Sequence, residues 1–400
     1  MLLRRFGLIL ENLDGFDNPG VLRSVPHTLG MSQSIAPDRG DGDTRTPFPL
    51  AAMTGWSGDG APIDGSLKNF ALGAVVQHFP RTLNRRECTT SDYSPKRCDF
   101  RVPTSAELDA LEAFQLFLGR QSEVNIEKDS TNPGEIVFRD PFVEAGKVLF
   151  SDAPAADGGR QTCNFCHNNA GANDPAGNGR LFATGTNKHP KAPPCLRPRA
   201  APADGGFGTE PVTIESGRDI CGTRGSFDLV FRGNDAFNSP SLIEAADTPP
   251  FFHNNIAETI EDAVAFYNSD VFGESPSGRG RPFALDTTQV QQVAAMLRVL
   301  NAIDNIDNSN RYDEIATRQA KVRGGLALQV ARVAASETED AIQVLTEGPV
   351  RLYEGTPVVQ HLHRALRLEE RAIAERNPGL LARAVRLKNR ARSLMIVTNQ

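Results

Sequence analysis

Five consecutive residues, Cys163-Asn164-Phe165-Cys166-His167, limit this chain more than anything else in its sequence. Two thiols separated by two residues on a tight helical turn reach the two vinyl groups along one edge of a porphyrin, while the adjacent imidazole turns towards the iron. A zinc half-site and a redox-active cysteine pair share the Cys-x-x-Cys spacing. No second Cys/His pair stands at metal-ligand spacing, however, and no βαβ pattern surrounds the motif. It therefore reads as the attachment site of one c-type haem, bound through Cys163 and Cys166, with His167 as the proximal iron ligand.

The chain of 400 residues is long enough for two compact units and an appendage. A net charge of -6 and a pI near 5.7 exclude a nucleic-acid binder, which needs a basic face for phosphates. Arg and Lys near the C-terminus alternate with apolar and acidic residues and read as a solvated helix face. With 35 Gly and 27 Pro spread among apolar segments, the chain reads as loop-rich and globular rather than disordered. No segment approaches a membrane-spanning length. The opening MLLRRFGLILENLDGF has too short an apolar stretch, and no small-residue cleavage site, to be a signal peptide.

The remaining cysteines fall as two close pairs, Cys88 with Cys98 and Cys195 with Cys221, each expected to form a loop disulfide. Such cross-links persist in an oxidising compartment, and haem is joined to cysteine outside the bacterial cytoplasm. Both expectations place the protein in the periplasm or among secreted proteins.

The predicted fold is mainly α, with cytochrome c-like haem domains, long loops and a helical C-terminal extension. Residues 1–130 are expected to form a partial N-terminal domain without its own haem motif, 131–310 the domain that carries Cys163–His167, and 311–400 the extension. Helices are predicted at 66–79, 104–119, 140–150, 257–268 and 287–302, the second opened by a Thr104/Glu107 capping box. A weak internal repeat runs through the chain. VLRSVPHTLGM, TGWSGDG and SLKNFALGAVVQHF follow the same order as AFNSPSLIEAAD, PFFHNN and TIEDAVAFY.

With His167 on one side of the iron, function turns on the other side. A strong sixth ligand favours electron transfer, and an open position admits peroxide or oxygen. The candidates are His253, Tyr267 and Met296 downstream and His27, Met31, Met53 and His78 upstream. Met296 sits in an apolar helical stripe typical of core, and His78 on a helix face. His253, between two phenylalanines and two asparagines, is placed either to exchange a proton with an iron-bound ligand or to make a structural hydrogen bond.

The run FVEAGKVLFSD…GGRQTCNFCHN, followed by FNSPSLIEAADTPPFFHNNIAETIEDAVAFY, resembles the C-terminal haem domain of bacterial di-haem cytochrome c peroxidases and the related MauG enzymes. The resemblance covers about residues 140–302. It implies that the turn bearing His253 lies near the haem and that the following helix supplies the distal ligand, with Tyr267 at the position of the MauG-type tyrosine. The first repeat copy is similar to the latter part of the same family's N-terminal domain. There Trp56 matches a tryptophan that sits between two haems.

The N-terminal domain's own Cys-x-x-Cys-His is missing, so the resemblance implies a longer native chain carrying a second haem and an export signal. The implied activity is peroxide reduction or long-range substrate oxidation, with a small redox protein as electron donor or acceptor. A chain with one haem is then expected to turn over poorly. A mono-haem electron carrier and a haem-dependent oxygenase of the same architecture are the alternatives. The resemblance also implies a calcium ion held by backbone carbonyls near the Ser-Pro turn.

Overall fold

Helix-start chemistry visible in the sequence is used as written. The computed structural model describes residues 67–78, 86–121, 124–126, 135–171, 181–191 and 237–398, with short pieces at 9–11, 21–25, 27–34, 55–56, 82, 210–212 and 230–232. Helix α1 is Leu67–His78. Helix α2, Ser105–Phe117, opens on the Thr104/Glu107 capping box. Helix α3, Pro141–Ser151, has Pro at its first position and the Asp140 side chain accepting from Phe142 N. Helix α4, Ile260–Phe266, is capped by Thr259. It starts later than the predicted 257 because Ala257 instead pairs with Phe251, whose N–H donates to the Ala257 carbonyl at 2.7 Å.

Helix α5 runs unbroken from Thr287 to Gln319, well past the predicted end at 302. The expected limit at 310 therefore falls inside one continuous helix. Its second half reads as polar, but those residues are buried in pairs. Arg120 forks onto Asp304, Asn308 donates to Glu244, and Asn301 donates to Asp247. Lys388, fully buried, donates to Asp313 at 2.8 Å and Glu369 at 2.6 Å. Buried charges persist only when paired in this way, and breaking such a pair costs far more than losing a surface one.

Helices α6 (Gly324–Thr346), α7 (Pro357–Ala374) and α8 (Leu381–Met395) complete the described α-helices of more than four residues. Helix α5 is the hub: α3, α4, α6 and α8 all pack on it. At the α3–α5 crossing a side chain at Gly146 would strike the Gln292 carbonyl, so glycine sets how closely these helices approach. Strands among the described residues form only two-stranded ladders. One of them pairs Ile136–Phe138 with Ile396–Thr398 in antiparallel register and fastens the C-terminal end beside the start of α3. The fold is thus mainly α. No described helix is long and apolar enough to cross a membrane.

Candidate functional site

Cys163, Cys166 and His167 share one helical turn, with Cys166 N and His167 N donating to the Cys163 carbonyl at 3.2 and 3.0 Å. The turn hangs from the end of α3, because Cys163 N donates to the Phe150 carbonyl at 2.8 Å. Both thiols are free of disulfide bonding. Burial, and then the neighbouring Cys166, push the Cys163 thiol up to about 12. That is the reverse of a redox-active cysteine pair, which needs a stabilised thiolate.

The His167 ring is fixed by Nδ1, which donates to the Pro240 carbonyl at 3.0 Å. A carbonyl only accepts, so the proton sits on Nδ1 and the lone pair on Nε2, the arrangement that orients a metal-binding imidazole. Burial is the main force pulling this histidine down to about 4, so the ring is neutral at pH 7.

All three residues line a cavity of about 930 Å³. That is near the upper end of the ~300–1,000 Å³ usual for ligand sites. Much of its wall is apolar, from Phe150, Phe251, Leu285, Val293 and Leu297 among others. His27 also lies on this wall. Its Nε2 donates to the Ser241 carbonyl at 3.1 Å, and its buried Nδ1 has no partner among the described residues. Two thiols, an oriented neutral imidazole, apolar walls and an orphaned polar atom together fit a covalently held porphyrin.

Tyr267 closes the C-terminal end of α4 and faces the same cavity. Burial, with the two cysteines adding to it, pushes the phenol well above its usual range, so it keeps its proton. His253 is buried on the wall, stacked on Phe237 with ring centroids 3.8 Å apart and with Nδ1 3.4 Å from Thr186 Oγ1. Trp56 meets His253 edge-on at 6.2 Å, and its indole N–H donates to the Ser24 carbonyl at 2.8 Å.

Met296 does not reach the cavity. It is fully buried beside Gly146, while Val293 and Leu297 of the same helix form the wall. It is a core residue, and among the described residues the methionine on the cavity wall is Met31. His78 is the last residue of α1. Met53 and the Cys195/Cys221 pair lie outside the described residues, whereas the Cys88–Cys98 disulfide is formed.

The internal repeat is visible in the hydrogen bonds. Ser24 N donates to the His253 carbonyl at 2.6 Å and Ser24 Oγ to the Phe252 carbonyl at 3.0 Å. In the other direction, Asn238 N donates to the Trp56 carbonyl at 2.7 Å and Asn238 Nδ2 to the Gly55 carbonyl at 3.3 Å. Ser24 thus corresponds to Asn238, and the pair Gly55-Trp56 to Phe252-His253. Backbone angles agree, since Gly55 and Phe252 both have φ 68°. Gly30 and Glu244, three residues beyond the bonded pair His27 and Ser241, have φ 68° and 55°. The described parts of the two copies clasp each other through these reciprocal hydrogen bonds.

Sequence reading missed Pro240, Phe237 and Ser24 as parts of this site. The repeat itself was the signal that could have found Ser24, by its match to Asn238. Among the described residues no three His, Cys, Asp or Glu side chains gather as a metal site. In the turn expected to supply backbone oxygens to calcium, the Pro240 and Ser241 carbonyls accept from His167 and His27. No protein-family model, no curated protein and no solved structure matches this chain.

Proposed function

We propose that the chain carries one c-type haem on Cys163 and Cys166, with His167 Nε2 on the iron, and acts as an oxidoreductase of the di-haem peroxidase/MauG kind. The observation that carries this reading is the His167 Nδ1–Pro240 hydrogen bond at the rim of a large apolar cavity shared with both thiols. When bound, the haem supplies the redox chemistry. The chain's own residues then divide the remaining work. The Pro240 carbonyl keeps the His167 lone pair turned outward and strengthens it as a donor. The phenylalanine-rich wall excludes water, which strengthens every polar interaction inside. Tyr267 presents a protonated hydroxyl to the cavity as the distal group, and buried His253 is the residue placed to hold or pass a proton. Trp56, in edge contact with His253, lies where an electron could enter the site.

A small redox protein would supply or take electrons in the periplasm or outside the cell, with peroxide or a small molecule as the substrate. An electron-carrier reading keeps one observation, Met31 on the cavity wall, and an oxygenase reading keeps the cavity's size.

The test is production in a bacterial host that attaches haem to cysteine. The expected result is a mass increase of one haem and a pyridine haemochrome spectrum, both lost in the Cys163→Ala/Cys166→Ala double variant. An unmodified mass with no haemochrome would end the proposal. A ferric spectrum that responds to cyanide or peroxide supports an enzyme, and an unresponsive low-spin spectrum supports a carrier. Peroxidase turnover by the one-haem chain is expected to be poor.

A further inference from the structure

The sequence Arg-Ala-x-Arg-Leu-x-x-Arg occurs twice, as RALRLEER at 364–371 on α7 and as RAVRLKNR at 383–390 on α8. Its spacing of three, four and seven residues puts each set of arginines on one helix face. The two helices pack together through a short turn at Pro378–Leu380. Ala365 and Ala384, the second residue of each motif, are fully buried, so nothing bulky holds the helices apart there. The two motifs therefore meet along one cleft of about 530 Å³, with Arg364, Arg367 and Arg371 on one wall and Arg383, Arg386 and Arg390 on the other. Leu368 and Leu387 complete the lining.

This concentration of positive charge is built, not averaged. The chain as a whole is acidic at -6, yet six exposed guanidinium groups share one recess. Among the described residues only Arg371 has a carboxylate partner, Glu375 one turn further along its own helix. Glu369 and Lys388, embedded in the same motifs, turn inward and pair with each other in the core. Like charges three and four residues apart on a helix repel, so the pattern costs stability unless something answers it. His361, one turn before Arg364, registers the field: burial lowers its pKa first, and Arg390 and Arg364 lower it further.

We infer that the cleft between α7 and α8 binds a compact soluble polyanion bearing two or more adjacent phosphoryl groups, gripped from both sides by the paired arginines. Planar guanidinium groups match phosphoryl oxygens two at a time, and facing rows suit a ligand with charge at both ends. A recess fits such a molecule better than a flat anionic membrane, which would touch only the rim. The site is separate from the haem cavity and does not depend on the haem proposal.

The probe is inorganic tripolyphosphate, titrated into the full chain at constant ionic strength with orthophosphate and sodium chloride as controls. One tripolyphosphate per chain is expected to bind at least about tenfold more tightly than orthophosphate, a difference of about 1.4 kcal/mol. It should also raise the midpoint of the His361 titration followed by NMR. Arg367→Gln with Arg386→Gln should abolish both effects. If that variant fails to fold, the wild-type His361 titration still decides the matter. An equal response to all three salts, an unmoved His361, or binding only to cardiolipin vesicles with none to tripolyphosphate would overturn the inference.

Discussion

Ser24 and Asn238 occupy the same place in the two repeat copies, and so do Gly55 and Phe252, yet what stands behind the shared hydrogen bonds differs. The first copy uses glycine at both left-handed positions, Gly30 and Gly55. The second holds Glu244 and Phe252 there, each at a cost of roughly 1–2 kcal/mol for an L-residue with positive φ. Strain of that kind survives where the side chain is needed. Phe252 lies on the cavity wall and packs on Phe266 at 4.9 Å, and Glu244 accepts from Asn308 within the buried polar network of α5. The copy that follows Cys163–His167 thus bears the strained residues, and the other copy bears the relaxed version of the same clasp.

Glu244 should give the largest departure between the copies, because Gly30 has no counterpart to its carboxyl. Burial, then the charges of Asp304, Glu337 and Asp247, push Glu244 up to about 8, against an opposing pull from Arg120. The folded chain therefore holds a proton that the unfolded chain releases near pH 4.5, so this contribution to stability is full below that pH and falls until about pH 8. Asp313 and Glu337, both raised to about 7 mainly by burial, slope the same way. Glu244→Gln should flatten the decline between pH 5 and 9 by on the order of 3 kcal/mol, measured by urea denaturation across that range. An unchanged slope would mean that Glu244 is ionised in the folded protein and the asymmetry is only steric.

Much of the site was legible because its signals are local. Cys163–His167 carries its spacing on its face, Thr104 and Glu107 announce a helix start three residues apart, and the two copies share an order of pieces. What escaped depends on distance. The second half of α5 looks like a polar tail until Lys388 is placed 75 residues away on Asp313. Phe237 stacks on a histidine with nothing in between to predict it, and the Pro240 carbonyl leaves no mark in a sequence. The clasp was hidden by spacing: the offset between copies is 214 at His27 and Ser241 but 197 at Gly55 and Phe252, as extra residues lie between the halves of the first copy.

Exchanging backbone freedom between Gly55 and Phe252 should give a smaller effect. Gly55→Ala forces a Cβ into left-handed backbone and to 2.7 Å from Phe70 Cε2, for an expected loss of about 2 kcal/mol. Every substitution of Phe252 loses aromatic packing, but Phe252→Gly should be more stable than Phe252→Ala by about 1 kcal/mol. That reverses the usual order of the two residues. Thermal denaturation of the three variants decides the matter. The ordinary order at 252 would remove the claim that this position is strained.

The finest test sets the two donors against each other. Ser24 Oγ and Asn238 Nδ2 each donate to the carbonyl of a residue at φ 68°, Phe252 in one case and Gly55 in the other. A single hydrogen bond of this type contributes about 1 kcal/mol, so Ser24→Ala and Asn238→Ala should each lower stability by that amount. The backbone donations from Ser24 and Asn238 persist in both variants, because alanine keeps its N–H. Combining the two should show whether the clasp acts as one unit. Residues within a shared network depart from additivity by at least about 0.5 kcal/mol, whereas independent sites add. Simple additivity in denaturant unfolding would reduce the clasp to two unrelated contacts, and coupling would mean that loosening one copy loosens the wall on which His253 and Tyr267 stand.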